Sequence, residues 1–146
     1  MSLVLLIMGL PGSGKTTLAD ATAERLRASC FAVLRINADV VRGLHADWDF
    51  SREGRIRQAQ RLRAAAEAAC ADVVIMDFVA ALPEQRDIVA PNVLVWMNTI
   101  AAGRYEDTNA AFVPPARADE IFSAHDPDNL DRVARLALSL LEVAHV

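Results

Sequence analysis

The fold of this chain is decided by one stretch near its start, Gly9-Leu10-Pro11-Gly12-Ser13-Gly14-Lys15-Thr16. The stretch matches G-x-x-x-x-G-K-[ST], the phosphate-binding loop, at every fixed position. An apolar run over residues 3–8 precedes it and is typical of a buried strand, and a segment with helical spacing of apolar residues follows it. Strand, glycine-rich loop and helix in this order predict a binding site for nucleotide phosphates. A chance match within a glycine-rich turn is the alternative.

The residue types of the loop fit the binding of a polyphosphate. Glycines let backbone N–H groups turn towards an anion, and the positive end of the following helix adds to the attraction. The ammonium of Lys15 would lie between the outer phosphates, and the hydroxyl of Thr16 would be a ligand of Mg²⁺. Lys15 is the single lysine among the 15 lysines and arginines of the chain. A slim ammonium is what a phosphate cage too tight for a guanidinium would require. We therefore predict that a nucleoside triphosphate binds to Gly9, Leu10, Pro11, Gly12, Ser13, Gly14, Lys15, Thr16 and Thr17.

Length and composition predict one globular domain over residues 1–146, with 53% hydrophobic and 23% charged residues. No apolar run approaches the ~20 residues of a membrane-spanning helix. Residues 3–8 are also too short for a signal peptide, so we expect a cytoplasmic protein. Cys30 and Cys70 have no metal-binding or redox spacing, and we expect both to be buried free thiols.

Charge is distributed unevenly along the chain, whose net charge is −4. Residues 1–75 carry ten basic and eight acidic groups, whereas residues 76–146 carry five basic and eleven acidic groups. This distribution favours a small anionic substrate held by the first half over a broad surface for nucleic acid, although a local patch stays possible. The sequence is also compatible with a homodimer.

Strand and helix patterns alternate along the whole chain. Strands are predicted near residues 31–36, 72–79, 92–97 and 119–123, with helices over about 52–70, from 83 and over 127–143. This order predicts a three-layer αβα sandwich around a five-stranded, mainly parallel sheet, the architecture of P-loop NTPases and kinases. Residues 98–115 break the pattern with Gly103 and Pro114-Pro115, and we predict that they form a mobile lid.

Three stretches that follow predicted strand ends should converge on the loop. They contain Asp39 with Arg42, Phe50 with Arg55, and an aromatic pair in the lid, Tyr105 and Phe112. Aromatic rings, arginines and a carboxylate would suit a flat group attached to phosphate or sulfate. Simpler alternatives are that Phe50 anchors the core, that Asp39 caps a helical turn, and that three further arginines form a solvated helix face: Arg57, Arg61 and Arg63.

Asp77 ends an apolar strand in the manner of a Walker B acid. It could bind Mg²⁺ through water, or it could simply accept a hydrogen bond from Thr16. His45, His125 and His145 lack metal-binding spacing, so no role is predicted for them.

These motifs resemble the adenylylsulfate kinase family over residues 3–97, and more loosely to 115. The D-G-D-x-x-R motif of that family stands here as Asn-Ala-Asp-Val-Val-Arg at residues 37–42. Its F-S-x-x-x-R-x-x-N motif stands here as residues 50–58, with Gln58 in place of the asparagine. Tyr105, Phe112 and Pro115 keep the aromatic spacing and the proline of a shortened lid.

The resemblance implies an ATP-dependent kinase that phosphorylates the 3′-hydroxyl of adenylylsulfate, with Mg²⁺ on Thr16 and Asp77. Asp39 would orient or deprotonate that hydroxyl, and Lys15 with Arg104 of the lid would neutralise the moving phosphoryl group. The implied substrate-binding residues are Asp39, Arg42, Phe50, Arg55, Gln58 and Tyr105.

Departures from the family pattern fall in the acceptor half of the site. Asn37-Ala38 replaces Asp-Gly, and residues 77–81, Asp-Phe-Val-Ala-Ala, lack the serine–proline turn of the family. Another hydroxyl acceptor is therefore an alternative: a sugar, a nucleoside or a modified base in nucleic acid. A nucleotide-dependent switch protein is a third hypothesis, although a switch needs no pocket for a second substrate.

Overall fold

The structure is a computed structural model that describes residues 1–144, so His145 lies outside the described residues. Its strands and helices alternate as the sequence predicts. The strands are β1 (Leu3–Met8), β2 (Val33–Asn37), β3 (Val73–Phe78), β4 (Val93–Met97) and β5 (Glu120–Phe122). The helices are α1 (Lys15–Ala28), α2 (Ala38–His45), α3 (Arg52–Ala68), α4 (Pro83–Val89), α5 (Glu106–Ala111) and α6 (Asp128–Ala144).

The five strands form one sheet in the order β2-β3-β1-β4-β5, and every neighbouring pair is parallel. This confirms the predicted α/β architecture. Alternate residues of β1 feed two cores: Leu5 and Ile7 pack with α1 and α6, and Leu6 and Met8 pack with α3. Burial on both faces explains why this strand is an unbroken apolar run.

The topology places the candidate site at the carboxyl ends of the strands. From β1 the chain passes to β2 and β3 on one side, then to β4 and β5 on the other. Ligands of open α/β sheets bind where the strand order reverses in this way. The glycine-rich loop follows β1 at that point, and the ends of β2 and β3 lie beside it.

The predicted lid contains a helix that the sequence did not reveal, α5 at Glu106–Ala111. The loop before it is closed by two hydrogen bonds, from the Gly103 amide to Asn109 Oδ1 at 2.8 Å and from Asn109 Nδ2 to the Gly103 carbonyl at 2.9 Å. Phe112 was expected at the site but stacks on Trp96, with ring centroids 6.2 Å apart, and packs against the core.

Two further expectations are corrected. Cys30 and Cys70 are free, as predicted, but both are exposed rather than buried. The arginines of α3 are not merely solvated: Arg57 and Arg61 both pair with Asp47. The pKa of the Asp47 carboxyl is lowered, chiefly by the hydrogen bond from Arg57. These ion pairs join α3 to the loop that follows α2.

Candidate active site

The glycine-rich loop is closely packed against β4. A Cβ at Gly9 would lie 2.6 Å from the Met97 carbonyl oxygen, so a side chain is excluded there. Ser13 is fully buried, and its hydroxyl has no hydrogen-bond partner among the described residues. Lys15 Nζ donates to the Leu10 carbonyl at 3.0 Å, which folds its side chain back over the loop. A buried hydroxyl without a partner and an ammonium folded over the loop fit the binding of a polyphosphate.

Burial lowers the pKa of the Lys15 ammonium, and Asp77 and then Asp39 oppose that shift. Removing water from an ammonium disfavours its charged form, and a nearby negative charge restores it. Lys15 therefore lies where additional negative charge from a ligand would be strongly stabilised.

Asp77 is the centre of a polar cluster beside the loop. Its Oδ2 accepts hydrogen bonds from the Thr16 hydroxyl at 2.5 Å and from Asn37 Nδ2 at 2.9 Å. Its Oδ1 lies 2.6 Å from Arg35 Nη1, an ion pair that lacks hydrogen-bond geometry. Both alternatives for Asp77 stay open, because the bond to Thr16 is present and the oxygen donor set suits Mg²⁺.

No group of three or more His, Cys, Asp and Glu side chains within residues 1–144 is placed to hold a metal ion. A hydroxyl and one carboxylate, completed by substrate phosphates and water, are the ligands that Mg²⁺ typically has in kinases. The donors at Thr16 and Asp77 therefore fit a magnesium ion that arrives with its nucleotide.

A cavity of about 450 Å³ joins this loop to the acceptor half of the predicted site. Its walls are formed by the loop, α2, the segment before α3, the end of β3 and the lid. Eleven of the predicted site residues line it: Pro11, Gly12, Lys15, Thr16, Asp39, Arg42, Phe50, Arg55, Asp77, Arg104 and Tyr105.

Gln58 is a predicted substrate-binding residue that the structure places elsewhere. Its side chain is fully buried, and its Nε2 donates to the Ala38 carbonyl at 2.7 Å. It therefore ties α3 to the start of α2 and lies behind the cavity wall. Arg55 and Gln58 share the buried side of α3, but Gln58 lies one turn further from the cavity.

Asp39 presents an exposed carboxylate to the cavity. The helix cap is Asn37, whose Oδ1 accepts from the Val40 amide at 3.0 Å, so Asp39 is not the cap that the alternative interpretation required. Within residues 1–144 the Asp39 side chain makes no hydrogen bond or ion pair, although its charge raises the pKa of Lys15 and Arg42 against the larger effect of burial, so its oxygens are open to a ligand.

Phe50 is 43% exposed at the cavity, so it is not a core anchor. The Arg42 guanidinium lies over its ring at 4.3 Å and that of Arg55 at 5.5 Å from the centroid. Burial lowers the pKa of both guanidinium groups. Two partly desolvated cations beside an aromatic ring make this wall attractive to an anion with a flat group.

The two arginines also hold backbone in place. Arg42 Nη1 donates to the carbonyls of Asp47 and Asp49 at 3.1 and 3.2 Å. Arg55 Nε donates to the Phe50 carbonyl at 2.9 Å, and its Nη2 donates to Thr108 Oγ1 of the lid at 3.2 Å. Each therefore supports the cavity wall as well as facing the cavity.

The sequence did not identify four lining residues: Trp48, Gln85, Asp107 and Thr108. The acidic Asp107 lies in the lid and raises the pKa of Arg55 against the larger effect of burial. Arg86 was also missed. Its Nε donates to the Ala80 carbonyl at 3.1 Å, and its Nη2 donates to the Val113 carbonyl, so it joins the β3–α4 turn to the end of the lid. Arg86 lies in α4, which starts with Pro83, and no pattern in the sequence of this helix indicates that the arginine would bond to the lid.

Comparison with known proteins agrees with this geometry. The family model for adenylylsulphate kinase matches residues 1–99. The adenylyl-sulfate kinase of Bacillus licheniformis is 35% identical over 91 residues, which are 60% of this chain and 46% of that protein. A probable adenylyl-sulfate kinase of Pseudomonas aeruginosa is 42% identical over 60 residues, which are 40% of this chain and 28% of that protein. The chain thus matches less than half the length of these relatives.

Two solved structures share the fold across nearly the whole chain. The Mycobacterium tuberculosis APS kinase, in complex with AMPPNP and APS, has a TM-score of 0.77 at 20% identity, covering 97% of this chain and 98% of that chain. A gluconokinase from Sinorhizobium meliloti 1021 has a TM-score of 0.64 at 16% identity, covering 97% and 93%. The family model spans the loop, both acceptor motifs and the first four strands, and the chain therefore belongs to the adenylylsulphate kinase family.

Proposed function

We propose that this protein is an ATP-dependent kinase that transfers the γ-phosphoryl group of ATP to the 3′-hydroxyl of adenylylsulfate. The observation that carries the proposal is the single cavity that contains both the loop lysine and the acceptor-side groups, Asp39, Arg42 and Arg55. A pure nucleotide switch has no use for such a second pocket. Family membership supports the proposal.

ATP binds with its phosphates in the loop of residues 9–17 and with its outer phosphates against Lys15. Thr16 and Asp77 would hold Mg²⁺, which would supply positive charge beside the phosphates. The partnerless Ser13 hydroxyl and the desolvated Lys15 support this assignment. The bond between Lys15 and the Leu10 carbonyl is exchanged for one to phosphate.

The acceptor binds on the opposite wall of the cavity. Arg42 and Arg55 hold its phosphosulfate, and Phe50 and Tyr105 contact its flat heterocycle. Asp39 accepts a hydrogen bond from the reacting hydroxyl and directs the oxygen lone pair towards the γ-phosphorus. The support is its exposed, unpaired carboxylate on the same cavity as Lys15.

Lys15 and Arg104 neutralise the negative charge of the phosphoryl group during its transfer. Arg104 lines the same cavity as Lys15. Burial is the main cause of the lowered pKa of Lys15, and the positive charge of Arg104 adds to it. Loss of one preorganised donor of this kind costs about 10²–10³ in rate in other enzymes.

A hydroxyl-rich acceptor such as a sugar acid is the second candidate. The observation that favours it is Asp107, a carboxylate that faces the acceptor half of the cavity. A carboxylate accepts hydrogen bonds from hydroxyl groups but repels an anion.

The test is a coupled assay of ADP release with adenylylsulfate, with D-gluconate and without an acceptor. We expect adenylylsulfate to stimulate ADP release well above ATP alone, and Lys15→Met to remove that stimulation. Stimulation by D-gluconate alone would favour the second candidate. Equal slow hydrolysis under all conditions would favour the switch hypothesis.

Within residues 1–144, no helix combines the length and apolar character needed to cross a membrane. We place the protein in the cytoplasm with its small-molecule substrates, ATP and an anionic acceptor. Homodimerisation stays a prediction, which sedimentation velocity would test.

A further inference from the structure

Trp48 is a large aromatic residue that neither the core nor the motifs account for. It lies in the loop between α2 and α3, lines the cavity and is 55% exposed. Exposing half of an indole gives up a large part of the free energy that its burial would provide. An exposed tryptophan at a cavity therefore needs a reason.

A flexible loop is not that reason, because the backbone on both sides of Trp48 is held. The carbonyls of Asp47 and Asp49 accept hydrogen bonds from the buried Arg42. The Asp47 carboxylate pairs with Arg57 and Arg61 at 3.1 and 2.7 Å. The neighbouring residues are thus fixed from two helices while the indole stays at the cavity.

The start of α3 packs against the same loop. A Cβ at Gly54 would collide with the backbone of Asp49, so this close approach requires glycine. The Asp49 carboxylate accepts from the Ser51 amide at 2.9 Å and from Arg57 at 2.9 Å. The side chain of Trp48 is therefore presented by a braced segment.

Three exposed aromatic residues surround the acceptor half of the cavity: Trp48, Phe50 and Tyr105. Stacking on an aromatic side chain is favourable for any flat heterocycle and does not depend on its hydrogen-bonding edges. The Arg42 guanidinium already lies over the Phe50 ring, 4.3 Å from its centroid, which limits the area of that ring left for stacking on a ligand.

We propose that Trp48 is a specificity-determining residue that stacks on the heterocycle of the acceptor and thereby favours nucleotide acceptors over aliphatic polyols. This inference rests on the proposed function, because it names adenine as the group that Trp48 contacts. The contact of Trp48 with the heterocycle is additional to those of the two family motifs, which span residues 37–42 and 50–58.

The chain contains two tryptophans, which permits a direct optical test. Trp96 is stacked on Phe112 away from this cavity, so Trp96→Phe leaves Trp48 as the single reporter. We expect adenylylsulfate to quench Trp48 emission with the same midpoint as its binding isotherm from calorimetry. D-gluconate should leave the emission unchanged.

Kinetics provide the second readout. Trp48→Ala should raise the KM for adenylylsulfate by about ten- to a hundredfold, since base stacking has this magnitude, and leave the KM for ATP and kcat close to those of the parent. Trp48→Phe should recover most of the loss. A merely structural role would lower the melting temperature and affect both substrates.

Each failure has a distinct meaning. Calorimetric binding and turnover of adenylylsulfate without quenching or a KM effect would overturn the role of Trp48 and leave the proposed function intact. Absence of adenylylsulfate binding would overturn both. Unchanged kinetics with a loss of self-association in Trp48→Ala would overturn the stacking role and assign Trp48, with the exposed Val40 and Leu44, to a protein interface.

Discussion

Replacing Asp77 by asparagine tests whether its carboxylate organises both the loop and β2. Asp77 is 3% exposed, and Arg35, at 2.6 Å, has a side chain that is 15% exposed. Removing one partner of a buried ion pair costs about 3–5 kcal/mol. Arg35 keeps Asp20 at 2.9 Å and the Ile36 carbonyl at 2.8 Å, which reduces the loss. We therefore expect the free energy of unfolding to fall by about 2–3 kcal/mol.

The matched control is Asp20→Asn, which removes the other acid of the same arginine. The Asp20 side chain is 62% exposed, so its loss should cost about 0–1 kcal/mol. Thermal melts should show a decrease of about 5–10 °C for Asp77→Asn, at roughly 2–4 °C per kcal/mol, and about 0–4 °C for Asp20→Asn. Equal decreases, or no decrease for Asp77→Asn, would refute the reasoning.

Because Thr16 contacts the same carboxylate, the Mg²⁺ concentration that Asp77→Asn needs for half-maximal ADP release should also rise.

Three further predictions concern other parts of the site. Lys15→Arg should reduce ADP release by at least about 10², as for loss of a preorganised donor, without lowering the melting temperature; an active variant would contradict the tight cage. Arg55→Ala should raise the KM for the acceptor far more than the KM for ATP, and equal effects would remove Arg55 from the acceptor pocket. The pKa of the Asp49 carboxyl is lowered to about 2, first by the Ser51 side chain and next by the Ser51 amide and Arg57. Because this value is below the unfolded-state pKa of about 3.9, the stabilisation is complete above about pH 5 and is lost as the pH falls towards 2. On acidification, the free energy of unfolding of Asp49→Asn should therefore fall less steeply than that of the parent protein. Equal slopes for the two proteins would contradict the prediction.

The sequence predicted those parts of the protein in which local pattern and structure coincide. The loop of residues 9–16 combines a fixed spacing with a preceding strand, and Asp39, Arg42 and Arg55 follow strand ends that parallel topology must bring together. The motif that placed Arg55 at the cavity did not do so for Gln58, although both residues lie on the buried side of α3. Gln58 lies one turn further along the helix, where its amide bonds to the Ala38 carbonyl.

Other features depended on long-range contacts that no local pattern contains. Nothing near Phe112 indicates that its ring will stack on Trp96. The short α5 has no strong apolar periodicity, since its sequence is Glu-Asp-Thr-Asn-Ala-Ala. Arg35 was not recognised as the partner of Asp77, because their contact joins neighbouring strands that are 40 residues apart in sequence.

The helix within the lid has a consequence for the energetics of closure. A lid that ordered itself around substrate would have to fix the backbone of the 6 residues of α5, at about 1–2 kcal/mol of conformational entropy for each. Here the segment contains its own turn of helix, and the Gly103–Asn109 clasp is made by hydrogen bonds within the segment itself. Closure of the predicted lid would then need rotation about a few bonds at its two ends, and more of the binding free energy of the acceptor would remain for orienting it towards phosphorus.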